Sequence, residues 1–213
     1  MEKIPHIQPQ TSVETGEQPT EHLNTENLSD AVKQYGTSII ERLSEYTNEE
    51  QCEIANKLIE VDKGKSVAKY LDKFEGLNHP EIANKLFEAG NGEYVASYLE
   101  RFQGLNHSEI ANKLIEAGKG QSVAAYLGKF QGLDSEIANK LIEAGQGQFV
   151  AACLNNFEGL NHSEIANKLI EAGQGQSVVD NLDKFEGLNH PEIANTLIEA
   201  GQGNSVANNL ERF

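Results

Sequence analysis

The stretch from Gly76 to Gln103 reads GLNHPEIANKLFEAGNGEYVASYLERFQ, and it decides the fold because most of the chain after residue 50 repeats it. A fixed period of this length is typical of solenoids, in which each unit buries its apolar face only when neighbouring units stack against it. The triplet Ile-Ala-Asn begins at Ile54, Ile82, Ile110, Ile137, Ile165 and Ile193, so successive copies lie 28, 28, 27, 28 and 28 residues apart.

Each copy, or unit, is predicted to be a pair of short helices. Apolar residues recur at helical spacing after Asn78, which is placed to be the N-cap, with Glu81 three residues later. Gly90 is expected to end this helix, because glycine adopts the left-handed C-terminal conformation without strain. A second helix is expected from about residue 93 to residue 102. Helices this short are marginal alone in water, so packing between units must stabilise them.

These patterns predict an all-α protein, a right-handed α-solenoid of about six 28-residue helical hairpins over residues 48–213. A degenerate N-terminal capping repeat is expected over residues 27–47, because its apolar residues keep the register while its first helix has drifted. Residues 1–26 are rich in Pro, Gln, Thr and Glu, which predicts a disordered acidic and polar tail. The fourth unit is one residue short, and Asp134 is expected to take over its N-cap.

The chain is strongly acidic, with 33 acidic and 17 basic side chains and a formal charge of −16. This charge disfavours a nucleic-acid partner, whose phosphates are anionic, and favours a basic protein partner. No signal peptide and no bilayer-spanning run is recognised, so we expect no membrane partner and a cytoplasmic location, with a secreted effector as the alternative. Cys52 and Cys153 occupy different positions in distant units, which predicts reduced thiols.

No catalytic, cofactor-binding or metal site is predicted, and no enzyme activity. His79, His107, His162 and His190 each occur once in a unit, in four of the six units, and equivalent side chains are expected on the order of 10 Å apart in a stack. They are expected to be surface residues beside N-caps. The cysteines lack a nearby unique His and Asp, as a nucleophile would need. The paired glycines follow a helix rather than a strand, which indicates hairpin turns instead of a phosphate-binding loop.

One asparagine recurs inside the first helix of every unit and admits two interpretations. Such a ladder could bind an extended peptide, because an amide both donates and accepts hydrogen bonds. It could also tie one unit to the next, which is favoured because asparagine is a poor residue within a helix. The ladder consists of Asn56, Asn84, Asn112, Asn139, Asn167 and Asn195.

Positions at which the copies differ are the predicted partner-binding residues. They lie between the turn glycines, just after the second glycine and on the second helix. Variation on one side of a solenoid often marks its binding face, although drift at exposed positions explains the same pattern. The predicted set is Lys63, Lys65, Asn91, Glu93, Tyr94, Tyr98, Lys119, Gln121, Tyr126, Gln146, Gln148, Phe149, Gln174, Gln176, Gln202 and Asn204.

The segment from Leu77 to Val95 resembles the TAL-effector-like DNA-binding repeats. It shares with them a first helix that opens with a leucine, a glycine-rich turn that carries the variable residue, and a short second helix. The resemblance implies a modular DNA- or RNA-binding protein whose turn residues read the bases. By this resemblance the residues facing the groove would be Asn91, Lys119, Gln146, Gln174 and Gln202.

The leading hypothesis is a non-enzymatic repeat scaffold that binds another macromolecule, in the first place a protein, through the variable turn and second-helix residues. The first alternative is a TAL-effector-like nucleic-acid-binding protein. The second is an acidic effector or decoy that occupies a basic protein.

Overall fold

Helices arranged in consecutive pairs make up the part of the chain that the computed structural model describes, residues 25–213. The first of them, α1 (Thr25–Tyr35), is followed by a 3-10 helix over Gly36–Glu45. The tail predicted over residues 1–26 lies, as far as residue 24, outside the described residues. Residues 25–213 contain no β-strand and one isolated bridge, between Leu133 and Phe157.

Six helix pairs follow, and we number them as units 1 to 6. The first helices of the units are α2 (Asn48–Glu60), α4 (His79–Glu88), α6 (His107–Glu116), α8 (Ser135–Glu143), α10 (His162–Glu171) and α12 (His190–Glu199). The second helices are α3 (Gly64–Lys69), α5 (Gly92–Ser97), α7 (Gly120–Ala125), α9 (Gly147–Ala152), α11 (Gly175–Asp180) and α13 (Gly203–Ala207).

The pairs stack into two layers. First helices pack against first helices, as α2 does on α4 and α6 on α8, while second helices pack against second helices, as α3 does on α5 and α9 on α11. The two helices within each pair also contact each other. Because each unit contacts mainly its neighbours, the array is a solenoid. The prediction of an all-α solenoid of helical hairpins is confirmed.

One core runs between the two layers. It is built from the same positions in each unit, and in unit 3 Ile110, Leu114, Val123, Leu127 and Phe130 are all buried. The buried residues from Leu28 to Val206 form a single continuous cluster, to which α1 contributes Leu28 and Val32. The N-terminal pair therefore covers the first-unit end of the core.

Side-chain caps start the first helices as predicted. The Asn78 side chain accepts a hydrogen bond from the Glu81 backbone N–H at 3.2 Å. In the shortened unit 4, Asp134 Oδ1 accepts from the Ile137 N–H at 3.0 Å, so the predicted change of cap is confirmed. At Thr47 and Glu50 both halves of a capping box form. Each cap satisfies a backbone donor that the helix leaves free.

Glycine ends the first helices, also as predicted. Gly90 has φ +74°, its N–H donates to Phe87 O, and the Asn91 N–H donates to Leu86 O, which together form a Schellman motif. The second helix differs from the prediction. It starts at Gly92, one residue before the predicted residue 93, and its α-helical part ends at Ser97, after which one 3-10 turn spans Leu99–Arg101.

Unit 1 departs from this pattern because Asp62 occupies the left-handed position, with φ +61°. Replacing Asp62 with glycine is expected to raise the free energy of unfolding by about 0.5–1 kcal/mol, since glycine carries no Cβ penalty there. Urea denaturation measures the change. Val61→Gly is the control, because Val61 has a right-handed φ of −95° and glycine should destabilise the chain there. Equal changes at both positions would contradict this account.

Candidate functional site

The variable residue between the turn glycines reaches back to the preceding unit in three of the six turns. In unit 5, Gln174 Oε1 accepts from the Gly147 N–H at 2.7 Å and Gln174 Nε2 donates to Ile142 O at 3.0 Å. Gln202 bonds Gly175 and Ile170 in the same way one unit later. These glutamines hold the turn of one unit against the turn of the next.

In unit 3 a lysine, Lys119, makes the contact to the turn of the preceding unit. Lys119 Nζ donates to Gly90 O at 2.5 Å and forms an ion pair with Glu93. Asn91 is buried, 7 % exposed, and its amide donates to Ala89 O within its own turn. Gln146 likewise bonds its own turn, at Ala144 O.

Several residues of the predicted partner-binding set are thus buried or make contacts within the array. Asn91 is inaccessible, and the polar groups of Lys119, Gln174 and Gln202 are engaged between units. The turn residues thus make two kinds of contact, to the preceding unit at Lys119, Gln174 and Gln202 and within their own turn at Asn91 and Gln146. Among the six turn positions, Lys63 is the exposed one.

The remaining predicted residues lie on the second-helix layer. Those just after the second glycine are mostly exposed, namely Lys65, Gln121, Gln148, Gln176 and Asn204. Those that are partly buried are Glu93, Tyr94, Tyr98, Tyr126 and Phe149. The rings of Tyr94, Tyr98 and Tyr126 pack against the core and remain partly exposed.

A cluster of lysines and tyrosines stands out on this layer, and we call it the lysine–tyrosine surface. Lys65 Nζ lies 6.0 Å from the ring centroid of Tyr94, and Lys69 and Lys73 Nζ lie 4.8 and 5.2 Å from that of Tyr70. The surface consists of Lys63, Lys65, Lys69, Tyr70, Lys73 and Tyr94. All four lysines are exposed, and none forms an ion pair with any residue in the described range.

Lys69 and Lys73 are absent from the predicted set, because that set rests on variation between copies at the turns and at two positions of the second helix. A simple signal could have found them. Residues 63–73 hold four of the 17 basic residues of the chain. Four of the five other cations on this layer form ion pairs inside the array: Arg101 with Asp72, Lys119 with Glu93, Lys129 with Glu100 and Arg212 with Asp183.

Charge on the second-helix layer is divided along the array. In units 1 to 3 this layer carries seven cations and four carboxylates. In units 4 to 6 it carries two cations and five carboxylates. The first group comprises Lys63, Lys65, Lys69, Lys73, Arg101, Lys119 and Lys129 with Asp72, Glu75, Glu93 and Glu100. The second comprises Lys184 and Arg212 with Glu158, Asp180, Asp183, Glu186 and Glu211.

The first-helix layer carries the asparagine ladder, and three of its six members, Asn56, Asn84 and Asn112, accept a hydrogen bond from a lysine of the next unit. Lys85 Nζ donates to Asn56 Oδ1 at 2.9 Å, and Lys113 donates to Asn84 Oδ1 at 3.0 Å, so each bond joins one unit to the unit before it. The same lysine pairs with the glutamate four residues earlier, as Lys85 does with Glu81. Of the two interpretations of the ladder, the tie between units has the support of the structure at these positions.

A second row of glutamates on this layer has no such partner. One glutamate stands at the end of each first helix, where the helix dipole is negative and disfavours another negative charge. We call five of them the carboxylate row, which consists of Glu88, Glu116, Glu143, Glu171 and Glu199. All are exposed, and none pairs with a cation in the range 25–213.

The four histidines directly follow the N-cap asparagines and are partly exposed, and three of them make a contact that was not predicted. His79 Nδ1 accepts a hydrogen bond from the Gln103 N–H at 2.8 Å, and the ring meets Phe102 edge-on at 6.2 Å between centroids. His107 and His162 make the corresponding contacts in units 3 and 5. Burial lowers the pKa of His79 and His107 below the ordinary 6.5. These side chains hold the loop that connects one unit to the next.

Both cysteines are free and partly buried. Burial first, and then the charges of Glu81 and Glu49, raises the pKa of the Cys52 thiol, which makes it a poorer nucleophile at neutral pH. In the described part of the chain no three His, Cys, Asp or Glu side chains converge as a metal ion would require. Over the same residues, no helix combines the length and apolar character needed to cross a bilayer.

Comparison of the chain with protein-family models, with curated proteins and with solved structures finds no match. Of the resemblance to TAL-effector-like repeats, the structure supports one feature, the regular helical repeat.

Proposed function

We propose that the protein is a non-enzymatic scaffold that binds an acidic segment of another protein on its lysine–tyrosine surface. The observation that carries the proposal is the set of four exposed lysines without an ion pair in the described range, beside two tyrosines, in a chain of charge −16. Elsewhere in the array most lysines pair with a neighbouring carboxylate, as Lys113 does with Glu109. Charge left unpaired in such a chain is available to a partner.

Composition supports a protein partner at this surface. Tyrosine is enriched in protein interfaces, because its ring supplies contact area and its hydroxyl group a hydrogen bond. The lysines supply long-range attraction for carboxylates and so favour association and orientation. The free thiols suit a reducing compartment, and a cytoplasmic location forms part of the proposal.

The proposed partner segment is short. Helix α3 and its 3-10 turn carry the lysines over residues 63–73, which is about 15 Å of helix. An extended chain covers that length with roughly five residues. Beyond unit 3 the second-helix layer becomes acidic and would repel a longer polyanion.

The nucleic-acid alternative has less support. Base reading through the turns would require Asn91, Lys119, Gln174 and Gln202, which are buried or bonded between units. The net charge also opposes binding driven by counterion release.

Neutralising three lysines tests the proposal. In fluorescence anisotropy at about 50 mM salt, a labelled oligoglutamate peptide is expected to bind the wild-type protein and to bind K65Q/K69Q/K73Q about tenfold more weakly, given up to about 1 kcal/mol per exposed ion pair. The matched control is Q121E/Q148E/Q176E, which lowers the net charge by the same three units. All three control sites are exposed and follow the second turn glycine, as Lys65 does. The control should retain most of the affinity.

Two results would overturn the proposal. Equal losses in both variants would show a response to net charge alone. Tighter binding of a single-stranded oligonucleotide, falling steeply as salt rises, would favour the nucleic-acid alternative.

The carboxylate row favours a second candidate function, the binding of a basic protein by an acidic effector or decoy. Its glutamates recur once per unit, on the order of 10 Å apart in packed helices, and each stands against the local helix dipole. In the same titration, labelled oligolysine would bind the wild-type protein and lose affinity with E116Q/E143Q/E171Q. If this variant bound oligolysine as tightly as the wild-type protein, the carboxylate row would be excluded as the binding site.

A further inference from the structure

One backbone N–H at the start of each connecting loop is held by an acceptor from the same unit, and we call this bond the loop clamp. In units 2, 3 and 5 the acceptor is an imidazole nitrogen. His79 accepts from the Gln103 N–H at 2.8 Å, and His107 accepts from the Gln131 N–H at 3.0 Å. His162 accepts from the Glu186 N–H at 2.7 Å. The loop clamp fixes the segment that leads into the next first helix.

Units 1 and 4 make the same bond with groups that do not titrate. Gln51 stands at the position of His79, is 2 % exposed, and its Oε1 accepts from the Glu75 N–H at 2.7 Å. Unit 4 lacks the histidine because it is one residue shorter, and the Leu133 carbonyl oxygen accepts from the Glu158 N–H at 2.6 Å. Five units thus satisfy one donor in three chemically different ways.

An imidazole can accept this bond only while its Nδ1 carries no proton. Protonation places an N–H where the lone pair was, so two donors face each other and the bond is lost. Glutamine and a backbone carbonyl keep their lone pairs throughout the same pH range. Acid is therefore expected to break the loop clamps of units 2, 3 and 5 and to leave those of units 1 and 4 intact.

We propose that the three histidine clamps are a pH-sensitive device that releases the connecting loops after units 2, 3 and 5 in mild acid, while the other two loops stay fixed. Since these loops set how successive units follow one another, their release would loosen the array at three defined places. The device is independent of which partner the array binds.

No carboxylate in the described range forms an ion pair with the three imidazoles. The charged groups on the elements around them include Glu81, Lys85, Glu88, Glu100 and Arg101 in unit 2, Glu109, Lys113, Glu116 and Lys129 in unit 3, Glu164, Lys168, Glu171, Asp183, Lys184 and Glu186 in unit 5, and Glu53, Glu136 and Glu192 on adjoining first helices. Four pairs form among these groups, namely Glu81–Lys85, Glu109–Lys113, Glu164–Lys168 and Glu100–Lys129. Arg101, Glu53 and Glu136 pair with Asp72, Lys57 and Lys140.

The sign of the pH dependence follows from burial. The pKa of His79 and of His107 is lowered in the folded protein from the ordinary 6.5. Between pH 6.5 and the lowered folded-state pKa, the unfolded chain binds more protons than the folded one. The contribution to stability is therefore fully present above pH 6.5 and is lost as the pH falls through the folded-state pKa. Carboxylates, whose ordinary pKa values are near 4, affect the pH dependence of stability only at lower pH.

The test compares the wild-type protein with H79Q/H107Q/H162Q, which installs at each site the residue that unit 1 already uses. Between pH 7.5 and pH 5.5 the wild-type melting temperature is expected to fall by on the order of 5 °C. The melting temperature of the variant should fall much less over the same pH range, and the variant should remain folded at pH 7.5. A variant that keeps the full wild-type pH dependence would overturn the proposal.

Hydrogen exchange on the wild-type protein supplies a second readout that does not depend on the variant's folding. After correction for intrinsic exchange rates, the amides of Gln103, Gln131 and Glu186 should lose protection at pH 5.5, while those of Glu75 and Glu158 should keep it. Equal loss at all five amides, or imidazole pKa values at or above 6.5 in an NMR titration, would also overturn the proposal.

Discussion

Replacing Ile170 with alanine is expected to lower the free energy of unfolding by about 2–5 kcal/mol, the usual cost of removing a fully buried aliphatic side chain. Ile170 lies at the end of α10, is 1 % exposed and belongs to the continuous core. Unit 6 lies next to it, since α12 contacts α10 and Gln202 of unit 6 donates to the Ile170 carbonyl oxygen. Removal of the Ile170 side chain therefore weakens both unit 5 and the contact between units 5 and 6.

The chain supplies the matched control 28 residues later. Ile198 holds the same position in unit 6 but is 56 % exposed, because no unit in the described structure packs over it. Ile198→Ala is expected to change stability by less than about 1 kcal/mol. Urea denaturation of both variants measures the difference. Equal losses would mean that the side chain is stabilised within its own hairpin and not by the neighbouring unit.

Alanine at Gly147 is the second change with a large expected effect. A Cβ there would collide with Leu169 Cδ2 and with the amide of Gln174, both from unit 5. Overpacking of this kind costs roughly 1–3 kcal/mol. The collision also displaces Gln174, whose bonds to Gly147 and Ile142 hold the two turns together. We expect a loss of about 2–4 kcal/mol in thermal or urea unfolding.

Gly128→Ala is the control for this change. Gly128 lies in the 3-10 turn of unit 3 and is exposed, and a Cβ at this position would meet open space. Alanine there should stabilise the chain by up to about 1 kcal/mol, because it restricts the unfolded state. A stabilising effect at both glycines would show that the turns of units 4 and 5 do not approach each other closely.

Much of the fold could be predicted because it depends on local signals that recur. The period of Ile82 and its equivalents, the Asn78 cap and the Gly90 stop each act within one unit. The position of Asp134 as a cap could also be predicted, since a cap needs only its own helix. The division of each second helix into an α-helical part and a 3-10 turn was not predicted, because the 3-10 turn leaves no distinct sequence signal.

Contacts between units could not be predicted in the same way. Gln174 and Lys119 look like free polar residues in sequence, and only the lateral approach of the preceding turn gives them partners. The contacts of the histidines escape prediction for a similar reason, since their acceptor role depends on where the connecting loop passes. One signal was available, because Gln51 and His79 occupy equivalent positions and share the ability to accept a hydrogen bond through an unprotonated side-chain atom.

The loop clamp has a consequence for how such a chain can change over time. Each unit carries the acceptor for its own connecting loop, and the bonds from turn to turn join adjacent units only. Unequal crossing-over within the gene could therefore remove or duplicate a block of 28 codons. Each newly adjacent pair of units would still make the same kinds of contact. The shortened unit 4, where the Leu133 carbonyl replaces a histidine, shows that even the loss of a single codon can be absorbed without interrupting the stack.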